Sequence, residues 1–204
     1  MKTLKITAAA LIALGTLAFA LRGSTALIEY GNGFARDAAA KNIVADRDKT
    51  IAQLEEVVKQ DVGDPNKQEA AKSAMILLGQ LRADGAAPLL ASHVSFLVME
   101  DRWNHVGLQL PTPQQFFPAV GALIQIGVPA VDSLIYQASQ TDNRKDDHWT
   151  NYVLVEVLGE RPAIAFVQDA IQVQREQEPK QRLNALLTGL RKFGDGPRQN
   201  PYMY

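Results

Sequence analysis

The sequence predicts an all-α protein, an α-solenoid of stacked helical hairpins, and three observations carry that expectation. Apolar residues recur at helical spacing through a long stretch near the N-terminus. Three further apolar segments each end at a glycine and restart at a proline. The aligned glycines Gly79, Gly127 and Gly159 lie 48 and 32 residues apart, which brackets the period of about 34 to 47 residues found in stacked helix pairs. Composition agrees. Of 204 residues, 47% are apolar and 21% charged, the balance of one folded domain, which excludes collagen-like, disordered and polytopic membrane chains.

Charge and cysteine usage narrow the chemistry. With 21 Lys+Arg against 22 Asp+Glu the formal net charge is −1, so no overall field attracts nucleic acid. The chain has no cysteine. That removes disulfides, thiolate metal sites, a cysteine nucleophile and a lipidated N-terminal cysteine together.

The N-terminus has the layout of a secretory signal. Lys2 and Lys5 precede Ile6 to Leu21, a run of 16 small and apolar residues without charge, as export signals require. Small-x-small cleavage sites stand at Ala18-Phe19-Ala20 and at Ser24-Thr25-Ala26, the second being favoured. An uncleaved membrane anchor is the alternative, although 16 apolar residues fall short of the roughly 20 that span a bilayer. Either route exports the rest, to the periplasm, the medium or the outer face of the inner membrane. Removing residues 1–26 takes away Lys2, Lys5 and Arg22, leaving 18 basic and 22 acidic side chains, a balance of −4. The 178 remaining residues can bury roughly 70% of their unfolded surface, so a core forms without crosslinks.

Residues 27–63 form an N-terminal amphipathic unit. From Phe34 to Gln60, Ile43, Val44, Ile51, Leu54, Val57 and Val58 recur at helical spacing among charged residues, which predicts one long helix. Gly63-Asp64-Pro65 ends it, with Asp64 expected to cap the next helix and Pro65 to open it. The helical pattern restarts at Lys67.

The repeat occupies residues 64–193. Ala74 to Gly79, Ala122 to Gly127 and Leu154 to Gly159 each close an apolar helix at glycine, and Pro88-Leu89-Leu90, Pro129-Ala130-Val131 and Pro162-Ala163-Ile164 open the second helix of each pair. Glycine accepts the left-handed C-terminal cap, and proline tolerates the first helical turn. A further helix, Gln181 to Lys192, carries Leu183, Leu186, Leu187 and Leu190 and stops at Gly194. The 48-residue interval and Glu156 inside an apolar helix depart from regular stacking.

At these residues the chain resembles the HEAT-like helical repeat family in its short bacterial form, most closely from Phe117 to Val131. The resemblance covers roughly residues 64–193 and implies a concave binding face rather than a catalytic crevice. A non-repeating helical bundle would carry the same glycine and proline punctuation.

The long interval reads as an insertion, Ser95 to Gln115. Insertions in repeat proteins collect on one face, often the binding face, so Phe96, Trp103, His105 and Leu108 are the candidate binding residues for a protein partner. The alternative is that the loop folds these side chains back over neighbouring helices. His93, Glu100, Asp101 and His105 bring nitrogen and oxygen donors close in sequence, but without the spacing of a His-x-x-x-His helix motif, and no metal is expected. Asp142 to His148 lacks the glycine and terminal glutamate of a calcium loop. It reads as a solvated linker, with Trp149 and Tyr152 covering the start of the third pair.

No nucleophile is framed: Gly-x-Ser-x-Gly, a glycine-rich phosphate loop and His-Glu-x-x-His are all missing. Arg175, Lys180, Arg182, Arg191 and Lys192 are interleaved with Glu176 and Glu178, the pattern of an exposed helix face rather than a nucleic-acid surface. The tail, residues 194–204, has two glycines and two prolines and is expected to be flexible. The expected function is an exported, non-catalytic protein-interaction scaffold with no cofactor and no identifiable small-molecule substrate. The resemblance also implies an alternative, a lyase-type enzyme or enzyme subunit, since some HEAT-like relatives act in attaching bilins to cysteines of photosynthetic antenna proteins. Export argues against it, because those clients are cytoplasmic.

Overall fold

The computed structural model describes residues 33–97 and 112–194, and the described chain is all-helical, with no strand. Nine α-helices follow in order: α1 Gly33–Asp61, α2 Gln68–Gln80, α3 Ala87–Ala91, α4 Pro113–Phe116, α5 Pro118–Ile126, α6 Val131–Gln140, α7 Arg144–Leu158, α8 Glu160–Val173 and α9 Gln177–Gly194. The expected signal segment 1–26, the insertion residues 98–111 and the tail beyond 194 lie outside the described residues.

The long amphipathic helix forms over the expected stretch. Its C-terminal half buries Val58 and packs Ile51, Leu54 and Val57 against the core, whereas Val44 stays 57% exposed. Asp64 does not cap α2. Its side chain instead accepts from the Asn66 N–H at 2.9 Å, and its carbonyl accepts from Lys67 N–H at 2.9 Å. This closes a side-chain turn, which asparagine and aspartate favour before proline-directed bends, and the helix starts three residues later than Pro65.

Gly127 and Gly159 turn the chain as expected. Gly127 has φ +80° and Gly159 φ +81°, with extended ψ, a combination close to glycine-only. Each is a one-residue hinge. The Gly127 N–H donates to the Leu123 carbonyl at 2.9 Å, and its own carbonyl accepts from Ala130 N–H at 2.9 Å. Gly159 does the same between Val155 and Ala163. The helices on either side of Gly127 turn by 117°, so they splay apart and pack on the helices of adjacent pairs.

Gly79 behaves differently, and the expected glycine cap there is corrected. It lies inside α2, and a Cβ on it would come 2.6 Å from the Ala122 Cα. Its lack of a side chain lets α2 and α5 touch backbone to backbone. The left-handed residue is Arg82, φ +47°: its N–H donates to Gly79 O at 2.8 Å and the Ala83 N–H to Leu78 O at 3.0 Å. These two bonds close the helix end in a Schellman pattern. Arg47, from α1, reaches the same end and donates to the Leu81 carbonyl at 2.8 Å.

The core is aliphatic and continuous. It runs through Met75, Leu78, Leu90, Leu123, Leu134, Leu154, Leu183, Leu186 and Leu190, all essentially solvent-free, and each such side chain contributes roughly 2 kcal/mol on burial. α2 packs on α5, α3 on α6, and α5 on α7, so consecutive pairs are spatial neighbours. The order then changes. α9 lies against α6, α7 and α8, taking the place beside α6 that a regular third pair would fill. Glu156, the charge inside the third apolar segment, points outward and is exposed.

Candidate functional site

The first half of α7 gathers the polar chemistry of the described chain. Asn143 caps the helix, its side chain accepting from Lys145 N–H at 3.1 Å, which satisfies one of the free donors at a helix start. Asp146 and Asp147 occupy the first turn, where carboxylates are favoured by the helix dipole. The solvated-linker reading of 142–148 is therefore corrected: from Arg144 onward it is helix, and Asp146, Asp147 and His148 are half-buried. An amphipathic start hides its identity when its polar residues are all charged.

Burial tunes these groups. The Asp147 carboxyl is pushed up to about 6, first by desolvation and then by the neighbouring Asp146 and Asp142 carboxylates. Desolvation lowers the His148 imidazole. It also lowers His93, at the end of the α3 segment, with Asp146 pulling partly the other way. At neutral pH both imidazoles are uncharged.

An aromatic group adjoins them. Trp149 is 4% exposed, and its ring centroid lies 3.9 Å from that of Phe117. His148 stands edge-on to Trp149 at 4.9 Å, and Phe193, from the end of α9, lies 5.5 Å from His148 and 6.4 Å from Tyr152. Gln114 Nε2 donates to the Tyr152 hydroxyl at 3.0 Å. Gln114 belongs to α4, where the Thr112 N–H donates to Gln115 Oε1 at 2.7 Å.

The close of the insertion is tied to α7, where Gln114 holds Tyr152. Of the candidate binding residues, Phe96 is half-buried and packs against the core, whereas Trp103, His105 and Leu108 lie outside the described residues, as do Glu100 and Asp101. Trp149 is buried near the start of α7 against Phe117, and Tyr152 accepts from Gln114 at the insertion's close. Asp147 and His148 were missed as site residues; asparagine followed by two carboxylates within a turn was the available cap signal.

Among the described residues no group of three His, Asp or Glu side chains is placed to hold a metal ion. The arrangement offers a half-buried aromatic patch beside a carboxyl that titrates near pH 6. No single described helix is long and apolar enough to cross a membrane. No protein-family model matches the chain, and no curated protein or solved structure is significantly similar to it.

Proposed function

We propose that this chain is an exported, non-catalytic protein-interaction scaffold, a HEAT-like stack of helix pairs that presents the insertion 95–115 to a protein partner. One observation carries the reading: the insertion is rooted at both ends on the folded body, Phe96 at its start packing against the core and Gln114 at its close donating to the Tyr152 hydroxyl on α7 at 3.0 Å. A loop rooted at two points on a folded body presents its side chains with less ordering cost than a free one. Neighbouring contacts between consecutive pairs support the repeat stack. The apolar run Ile6 to Leu21 behind Lys2 and Lys5 supports export.

The test pairs an export assay with partner capture. Alkaline phosphatase fused after residue 32 is expected to become active in a bacterial periplasm, and an inactive fusion removes the export claim. A partner cross-linked to the full chain is expected to be lost from Trp103→Ala and Leu108→Ala variants whose melting temperatures are unchanged. Retention of that partner would overturn the insertion as its site. Recovery of a bound chromophore would favour the lyase-type reading instead.

A further inference from the structure

We propose that the outer face of α8 is a self-association surface that docks antiparallel on the same face of a second copy of this chain. The starting point is how little of α8 is covered. Ala163 and Val167 are its buried residues, and its extended contacts among the described residues are with α7 and α9. On the opposite side Pro162, Ala165, Phe166, Asp169 and Val173 recur at steps of three and four, all exposed. Phe166 is 44% exposed and Val173 78%. The end element of a helical stack ordinarily turns a polar face outward; α8 turns out a phenylalanine and a valine.

The charges on this face select the occupant. Arg161 and Asp169 are both exposed and eight residues apart, about 12 Å along the axis, so neither reaches the other within one chain. Their midpoint is Ala165. In an antiparallel pair of helices with the two-fold axis at Ala165, Arg161 of each copy meets Asp169 of the other, and the symmetry makes the contact twice. The small side chain at the axis lets the helices approach closely, and the two Phe166 side chains, on the same side of the axis, then lie against each other. This spacing of opposite charges about a small residue is self-complementary, which a surface for an unrelated partner has no reason to be. The face contains none of the insertion residues, so it stands or falls independently of partner binding.

The chain has no native cysteine, which makes a direct test available. In the full chain, Ala165→Cys is expected to form an intermolecular disulfide under mild oxidation, because the two thiols meet at the axis. Ser73→Cys, exposed on α2, is the control and is expected to stay largely monomeric. Sedimentation of the cysteine-free chain should give a dimer mass. Arg161→Glu or Asp169→Arg alone should weaken the dimer by about tenfold or more, since two symmetric attractions become repulsions, and the double reversal should restore it. A monomer at all concentrations would overturn the proposal. So would a dimer indifferent to the single reversals, or cross-linking at Ser73→Cys as fast as at Ala165→Cys, which would assign association to another segment such as Ile6 to Leu21.

Discussion

The Arg182 guanidinium, on α9, donates to the backbone carbonyl of Ser139 at the end of α6, at 3.2 Å, and to that of Gln140 at 2.9 Å. A planar cation thereby satisfies two carbonyls that α6 leaves unpaired at its C-terminus, where positive charge is also favoured by the dipole. Glu178, four residues earlier, holds the guanidinium from the other side. The contact ties α9 to α6, against which α9 packs.

Arg182→Ala should therefore lower unfolding stability by about 1 to 2 kcal/mol, the effect of losing two charge-assisted bonds, one part-buried and one exposed. Arg182→Lys should recover less than half of it, because one ammonium must serve both carbonyls and Glu178, which the guanidinium divides between its two terminal nitrogens. Urea denaturation of the three proteins measures this. Equal stability for wild type and Arg182→Ala would mean that water serves those carbonyls as well.

Gly79 and Gly127 should respond to alanine for opposite physical reasons. In a helix interior alanine ordinarily gains about 1 kcal/mol over glycine, yet Gly79→Ala forces a Cβ to 2.6 Å from the Ala122 backbone. It should cost about 3 kcal/mol as α2 and α5 separate. At Gly127 a Cβ meets nothing within 4 Å, so its cost of about 1 to 2 kcal/mol arises from φ +80° alone. Thermal melts separate the two cases: Gly79→Ala should lower the melting temperature clearly more than Gly127→Ala, and an equal or smaller loss would refute the close approach of α2 and α5 as its cause.

Arg82 offers the reverse sign. It holds φ +47° at an exposed helix end, a conformation that disfavours side chains, so Arg82→Gly should stabilise the chain by about 1 kcal/mol. A loss of stability in the melt would show that the arginine side chain contributes more than its backbone strain removes.

Asp147 should make stability fall as pH rises through its titration. Its folded value, about 6, stands above the ordinary 3.8, so between these values the folded chain binds more protons than the unfolded one. The folded state is thus disfavoured progressively from pH 3.8 to 6. Asp147→Asn should gain about 1 kcal/mol at pH 8, a figure reduced for the half-exposed setting, and nothing at pH 4. His93 and His148, lowered by burial, act oppositely, destabilising the fold as acid protonates the unfolded chain near the ordinary 6.5. Melting temperatures across this range, with and without the substitution, isolate the aspartate, and a gain that persists at pH 4 would refute its titration as the cause.

How much of this was legible beforehand depends on the range of the forces involved. The span of α1, read as Phe34 to Gln60, is observed as Gly33–Asp61, and the hinges at Gly127 and Gly159 stand where glycine precedes a proline-started stretch. Those features follow from neighbours in the chain, because φ preferences and hydrogen bonds four residues long are local. The sequence treated Gly79 as a third hinge, since Leu-Leu-Gly reads identically whether glycine turns a chain or admits another helix. It took Asp142 to His148 for a linker because carboxylates usually signal solvent.

By itself, then, the sequence determined that the chain is helical, where α1 lies and where two of its hinges turn. Tertiary structure alone decided that Gly79 meets Ala122, that Arg182 closes α6 across 43 residues, and that Asp147 is half-buried. Each of these is set by which surfaces come together when the aliphatic core forms, and a burial shared between distant segments leaves no periodic mark on either one.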